Sequence, residues 1–336
     1  MSKKYLVSAL GNAIVDTLIL VDDSFLLENS ITKGSMTLIN KDIADQLSNL
    51  EYQKISSGGS TCNTVATISS LGKKCLFIGK VANDKFGKIF NTDLKESNCD
   101  FHSQYSNISN STSKSFILVS KEDGERTMMT YLGDSSKIDQ IDDEDILQNS
   151  EIIYIEGYLW DKKETINSLS NFIQNASKKK ITTAFTLSDS FCVSRHKNDF
   201  LNLIKNIDIL FANEDEIKIL TDNKEDLLNQ KKYNNLFNIN PNIKLIITIS
   251  ERGSIIVTKN SIKEVKTKPI KNLVDSTGSG DAFASGFLLG LSCDLDLEQS
   301  AKLGNLIASK IIKKLGARFD SDEINEIKTE LCQFGI

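Results

Sequence analysis

The stretch Asn272–Gly290, "NLVDSTGSGDAFASGFLLG", runs a Ser/Thr/Gly-rich turn into an apolar helix and sets one acid, Asp281, at the junction. Glycine turns that open helices hold anions on their unpaired N–H groups, so a carboxylate at that point needs its own account. One reading makes Asp281 a helix cap, since Asp at a helix start satisfies orphan donors and complements the macrodipole. The other has Gly278, Ser279 and Gly280 present N–H groups where charge develops on a transferring phosphoryl group. Asp281 then takes the proton of the attacking hydroxyl, a general-base role worth about 10²- to 10⁴-fold in rate. The rival phosphate signatures fail. No GxxxxGK[ST] occurs, and a GxGxxG pattern begun at Gly278 meets Phe283 in place of its third glycine, with Asp281 set to repel a pyrophosphate.

Outward from this segment the chain alternates short apolar runs with amphipathic ones. "YLVSAL" (5–10), "CLFIGKV" (75–81), "IIYIEGY" (152–158), "IDILFAN" (207–213) and "KLIITIS" (244–250) read as strands. "GSTCNTVATISSLG" (59–72) reads as a helix with Ser60 as N-cap and Gly72 as stop. Strands so continuous in β-branched and apolar residues predict an α/β fold whose mainly parallel sheet is covered by helices on both faces. Two regions break the rhythm, 17–36 and 100–132. The second holds "KSFILVSKEDGERTMMTYL", a hairpin turning at Glu122–Glu125. These segments are expected to pair into a small β-layer over the sheet edge, a lid.

Composition removes several classes of function. With 336 residues and 40% hydrophobic content the chain can bury a sizeable core. The net charge is −5 and the lysines are interspersed with acids, so no phosphate-tracking basic stripe is present and nucleic acid is not an expected partner. The start "MSKKYLVSALGNAIVD" is broken by Ser8, Gly11 and Asn12 and reads as a first strand. No run approaches the roughly 18–20 apolar residues of a membrane span, and a soluble cytoplasmic protein is expected. The six cysteines lie far apart without a CxxC pair and only two histidines accompany them, which argues for reduced thiols and against structural zinc.

"VDSTGSGDAFASGF" (274–287) resembles the C-terminal DTxGxGD signature of the ribokinase-like (PfkB) carbohydrate and nucleoside kinases. "SGGSTCNTVATISSLG" (57–72) resembles their N-terminal Gly-Gly signature, with an Asn a few residues on. "ALGNAIVD" (9–16), "GKVANDKFG" (79–87) and "FANEDE" (211–216) extend the likeness over nearly the whole chain. The resemblance implies a single unit over 1–336, a ribokinase-like three-layer α/β/α core with a mainly parallel central sheet and a small β-sheet lid drawn from about 17–36 and 100–132. It also implies transfer of the ATP γ-phosphoryl group to a primary hydroxymethyl.

Carried over residue by residue, the resemblance makes Asp281 the base and Gly278, Ser279 and Gly280 the anion hole. Asn12 and Asp16 would hold sugar hydroxyls, Gly58 and Gly59 would let backbone approach the sugar, and Asn63 would hydrogen-bond it. Arg126 would come down with the lid onto the phosphates. Asn213 and Glu216 would order the waters of an ATP-bound magnesium, and Thr248 to Gly253 would form the nucleotide-side loop, with Ser250 where glycine is usual. Asn305 would lie beside adenine, and Asp275, Thr277 and Ser309 would surround a monovalent cation such as potassium. Each has a plainer reading. Asn12, Asp16, Gly58 and Gly59 are turn formers, Arg126 is a solvated hairpin charge, and the polar run at Asn213 is a helix cap.

Within the family the likeness is to the bacterial adenosine-kinase-like branch, which puts adenosine first as acceptor and a free sugar such as ribose or fructose second. Against a base, apolar surface would come from Met36, Leu38, Met128, Thr130, Tyr158 and Trp160, each of which also reads as packing. A non-catalytic metabolite-binding regulator is the reading from another class. The oligomeric expectation is a monomer, or a homodimer through the lid.

Overall fold

Apolar runs that serve two cores at once dominate the molecule. In the computed structural model, which describes residues 3–103, 111–135, 138, 141, 143–270 and 273–336, the described residues form fourteen strands. In chain order these are β1 (Tyr5–Leu10), β2 (Ile14–Val21), β3 (Met36–Leu38), β4 (Lys54–Gly58), β5 (Cys75–Gly79), β6 (Asp100–Ser103), β7 (Ser113–Ser120), β8 (Arg126–Tyr131), β9 (Ser150–Glu156), β10 (Thr182–Thr186), β11 (Ile209–Asn213), β12 (Lys244–Thr248), β13 (Ser254–Thr258) and β14 (Ser261–Val265). Nine of them make the large sheet, in the order β14-β13-β12-β11-β10-β9-β1-β5-β6. Pairing is parallel from β6 through β12 and antiparallel for β13 and β14.

The period-2 alternation of strand side chains explains why the runs are continuously apolar. In β9, Ile153 and Ile155 pack with Phe172 and Phe200 from helices on one face. Ile152 and Tyr154 pack with Val65, Phe283 and Phe287 from helices on the other. The strand order reverses at β1, with β5 and β6 on one side and β9 onward on the other. A crevice opens outside the carboxyl ends of the strands at such a reversal. There Asn12 follows β1 and Glu156 ends β9.

The second sheet has five strands, in the order β3-β8-β7-β2-β4. It differs from the sequence expectation at both ends. It begins at Ile14, three residues after β1, and it takes β4 from Lys54–Gly58, while Asp100–Ser103 pairs with β5 in the large sheet instead. β4 was hidden because "KISSG" carries one apolar residue; it pairs with β2 and buries Ser57 and Gly58 at its end. Residues 104–110 of the anticipated lid segment, and Asn272 of the opening stretch, lie outside the described residues. The hairpin of β7 and β8 forms as expected from Glu122–Glu125.

The two faces of this small sheet have different company. Ile19, Phe116, Leu118 and Met129 pack under Leu26 and Ala44 from the short helices Asp23–Glu28 and Lys41–Leu47. The opposite face is laid out in rows by the register: Asp16, Ser115, Thr130 and Leu38; then Leu18, Ile117, Met128 and Met36; then Leu20, Val119 and Arg126. Leu18, Ile117 and Val119 cluster with Met128, while Leu20, Met36 and Leu38 stay exposed. All six cysteines are free. Among the described residues no helix is long and apolar enough to cross a membrane.

Candidate active site

Asp281 is the third residue of the helix Ser279–Ser292, whose N-cap is Gly278 at φ +73°, without any side-chain cap. The capping account therefore fails on geometry. The carboxylate leaves its own helix for the neighbouring one, Ser60–Ser70, where Ser60 Oγ donates to Oδ1 at 2.6 Å and Asn63 Nδ2 donates to Oδ2 at 2.9 Å. Thr64 Oγ1 adds a bond to the Asp281 carbonyl at 3.1 Å. Burial pushes the carboxyl up to about 6, against the pull of Ser60, Asn63 and the Arg318 guanidinium. Asn63 Oδ1 is buried and finds no hydrogen-bond partner among the described residues. An orphaned acceptor beside a carboxylate near neutrality is a place for a hydroxyl.

The N-cap of the Ser60–Ser70 helix is Gly59, not Ser60, which is free to reach Asp281. Gly59 holds φ +102°, and a Cβ there would lie 2.2 Å from the Asn12 carbonyl oxygen. A Cβ on Gly58 would lie 2.2 Å from Asp16 Oδ2. The glycine pair is thus demanded by the approach of Asn12 and Asp16. Burial raises Asp16 to about 7, Asp281 and Asp93 push the same way, and Arg318 opposes them.

A residue that sequence reasoning missed ties these parts together. Glu156, buried at the end of β9, accepts from Asn12 N at 2.8 Å, Thr61 N at 3.0 Å and Thr61 Oγ1 at 3.0 Å. Desolvation raises it to about 7 in spite of these donors. Its signal was present in "IIYIE", where an acid closes an otherwise apolar strand at the sheet's functional edge. The Asn12 amide oxygen accepts from Ser135 Oγ at 3.1 Å.

The anion turn keeps part of its expected donor set. Ser279 N closes a turn onto Ser276 O at 3.1 Å and is thereby spent. Gly280 is exposed at the second position of the helix, where a backbone N–H has no intrahelical partner. Arg126 Nη1 reaches Asp275 Oδ2 at 2.5 Å and Thr277 Oγ1 at 3.0 Å, while its Nη2 is buried without a partner among the described residues. It is therefore not a solvated surface charge.

On the nucleotide side the outcome is mixed. Asn213 and Glu216 form a reciprocal capping box, with Asn213 Nδ2 also donating to Glu216 Oε1 at 2.6 Å, and burial lifts Glu216 to about 7. Thr248 stands beside Asn213 at the ends of β12 and β11. Ser250 holds φ +53°, so it adopts the left-handed conformation expected of the glycine it replaces, and Gly253 holds φ +103°. Asn305 is buried and gives its amide to the Val265 carbonyl at 2.9 Å, tying the helix Leu297–Ile311 to β14. Ser309 turns its hydroxyl into its own helix, onto Leu306 O at 2.6 Å, instead of joining Asp275 and Thr277. Asp275 is already engaged by Thr277 N, Gly316 N and Arg126, so this arrangement does not fit a monovalent cation. Of the apolar candidates, Met36, Leu38, Met128 and Thr130 meet on one lid face. Trp160 is core, packed edge-on against Phe185 and Phe200, and Tyr158 bonds Asp189 at 2.9 Å.

The chain has relatives among known proteins. Residues 32–324 match the pfkB family carbohydrate kinase pattern. The crystal structure of adenosine kinase from Sinorhizobium meliloti is similar at 36% identity and a TM-score of 0.84, covering 98% of this chain and 99% of that one. A probable sugar kinase from Rhizobium etli reaches 33% identity and a TM-score of 0.84, covering 99% of both chains. An uncharacterized sugar kinase of Archaeoglobus fulgidus is 30% identical over 262 residues, 75% of this chain and 96% of its own.

Proposed function

Because the chain belongs to the pfkB family of carbohydrate kinases, and is thus an ATP-using phosphotransferase for sugars or nucleosides, we propose that its acceptor is the primary hydroxymethyl of a ribonucleoside, adenosine first. The observation that carries this reading is the lid row Leu18, Ile117, Met128 and Met36, lying between the row that bears Asp16 and the row that bears Arg126. A free sugar is covered with hydroxyls and gains little from such a wall. A base offers the flat apolar surface that it matches. The adenosine kinase likeness at 36% identity supports the same choice.

The chemistry follows from the positions of this chain's own groups. Asn12 and Asp16 bind the ribose diol, with Gly58 and Gly59 allowing the backbone close. The hydroxymethyl lies against Asn63 Oδ1 and Asp281, which takes its proton as the oxygen attacks phosphorus in line. The N–H groups at Gly278 and Gly280 and the unpartnered Arg126 Nη2 meet the charge that builds on the transferred group. Magnesium on the ATP phosphates would supply further neutralisation. It keeps most of its own water, and Asn213 and Glu216 would reach it through that water.

Turnover with magnesium-ATP on adenosine, other nucleosides, ribose and fructose tests the reading. Adenosine is expected to give the highest kcat/KM, by about tenfold or more, the discrimination that one well-filled apolar contact supplies. A free sugar turned over while every nucleoside is refused would replace it.

A further inference from the structure

A single arginine outside both signature motifs grips the turn of the first. Arg318 Nε donates to Ser57 O at 3.2 Å and Nη2 to Ser57 Oγ at 2.6 Å. Nη1 donates to Cys62 O at 3.4 Å, and Nη2 lies 3.2 Å from Cys62 Sγ. Ser57 and Cys62 bracket Gly58, Gly59, Ser60 and Thr61, the residues that meet Asp16, Asn12, Asp281 and Glu156 respectively. Resting on the proposed acceptor site, we propose that Arg318 is a positioning residue for it, holding this turn in the shape from which those four contacts are made.

The residues just before it make the same link on the other side. Gly316 N donates to Asp275 Oδ2 at 2.8 Å, and a Cβ on Gly278 would come within 2.5 Å of Ala317 Cβ. Three consecutive residues thus touch the anion turn and the glycine turn in succession, and join two loops that are otherwise bridged by Asp281. Only a planar fork suits the task. A guanidinium presents donors in several fixed directions at once, and here they reach two carbonyls, a hydroxyl and a sulfur; an ammonium has three donors on one atom and cannot span the turn. Asp93 completes the grip, accepting from Ser57 N at 2.9 Å and from Ser57 Oγ. The Arg318 charge also opposes the burial of both Asp16 and Asp281, so the group that shapes the turn favours ionisation of the acids around it.

The test compares Arg318→Lys and Arg318→Met with wild type by amide hydrogen exchange and by steady-state kinetics. Exchange across 57–63 is expected to quicken about tenfold or more in both variants, with β9 to β12 unchanged. The KM for the acceptor is expected to rise about 10- to 100-fold while that for ATP moves less than about twofold. Exchange at 57–63 that stays at the wild-type rate overturns the proposal. So does exchange that quickens throughout β9 to β12, which would make Arg318 a general fold contact, and so does a Lys variant that behaves as wild type, which would leave only its charge. Exchange is read without an acceptor, so a wild-type protein that phosphorylates no nucleoside defeats the preceding reading and leaves this one measurable.

Discussion

Arg126 of the lid strand β8 and Asp275 of the core loop meet at 2.5 Å, with side chains 15% and 3% exposed. A buried pair of this kind is retained at a desolvation cost, and removing one partner strands the other charge. On the reading proposed above, the lid arginine, which lies next to the anion turn with one guanidinium nitrogen unmet, joins lid position to phosphate binding. Arg126→Lys is expected to lower kcat/KM for ATP about 10- to 100-fold, since lysine cannot hold Asp275 and offer a second directed donor. Steady-state kinetics at saturating acceptor check this, and a change under twofold would detach Arg126 from the phosphates.

Asp281→Asn keeps an acceptor for Ser60 and nearly the same volume. Turnover is expected to fall about 10²- to 10⁴-fold while acceptor affinity, measured by calorimetry, stays within a few-fold. Near-normal turnover would remove the base role altogether.

The buried acids set opposite pH trends for activity and stability. With Asp281 near 6, phosphorylation is expected to rise with pH through about 6 as the base ionises. Asp16 and Glu156 near 7 and Asp281 near 6 are all raised above their ordinary carboxylate values, so the folded state holds more protons than the unfolded chain between about pH 4 and 7. The contribution of these three groups to stability is therefore fullest in acid and declines as pH climbs to about 7. Thermal unfolding of the ligand-free protein from pH 5 to 8 should show that decline. Asp16→Asn should flatten it, and a curve of unchanged slope in that variant would contradict the assignment.

Met36 is exposed on the lid row, so replacing it spares the core. Met36→Asp is expected to raise the KM for adenosine about tenfold and leave that for ATP unaltered, because a charge there must be desolvated against the base. Equal effects on a nucleoside and on ribose would show that no base touches the row.

Much of this site was legible in the sequence because its parts are backbone devices with short signatures. Gly58, Gly59 and Gly278 announce close approaches and left-handed turns, and Asp281 announces itself by its conflict with an anion turn. The continuous apolar run of β9 was visible because two cores demand it. What the sequence hid was long-range partnership. Nothing in "GARFD" shows that Arg318 grips Ser57 and Cys62, and nothing in "KISSG" shows that β4 is ordered by β2. Ser60 read as a cap because a serine before an apolar run usually is one; here Gly59 starts the helix and the hydroxyl is drawn away by Asp281. Ser309 and Trp160 were misplaced for a related reason, since a pattern cannot tell which way a side chain turns on its helix.

The pairing of β2 with β7 joins Ile14 to Ser113, roughly a hundred positions apart, and does so in parallel. The chain between them returns through β5 and β6 of the large sheet before it reaches the lid again. The small sheet accordingly has no contiguous stretch of sequence that encodes it. Grafting the β7–β8 hairpin alone onto a relative would transfer two strands without the neighbours that order them, so on the reading proposed above acceptor preference is exchanged by point changes along the rows. The lid has its own apolar cluster, but its strands are threaded through the core, and the two are expected to melt in one transition.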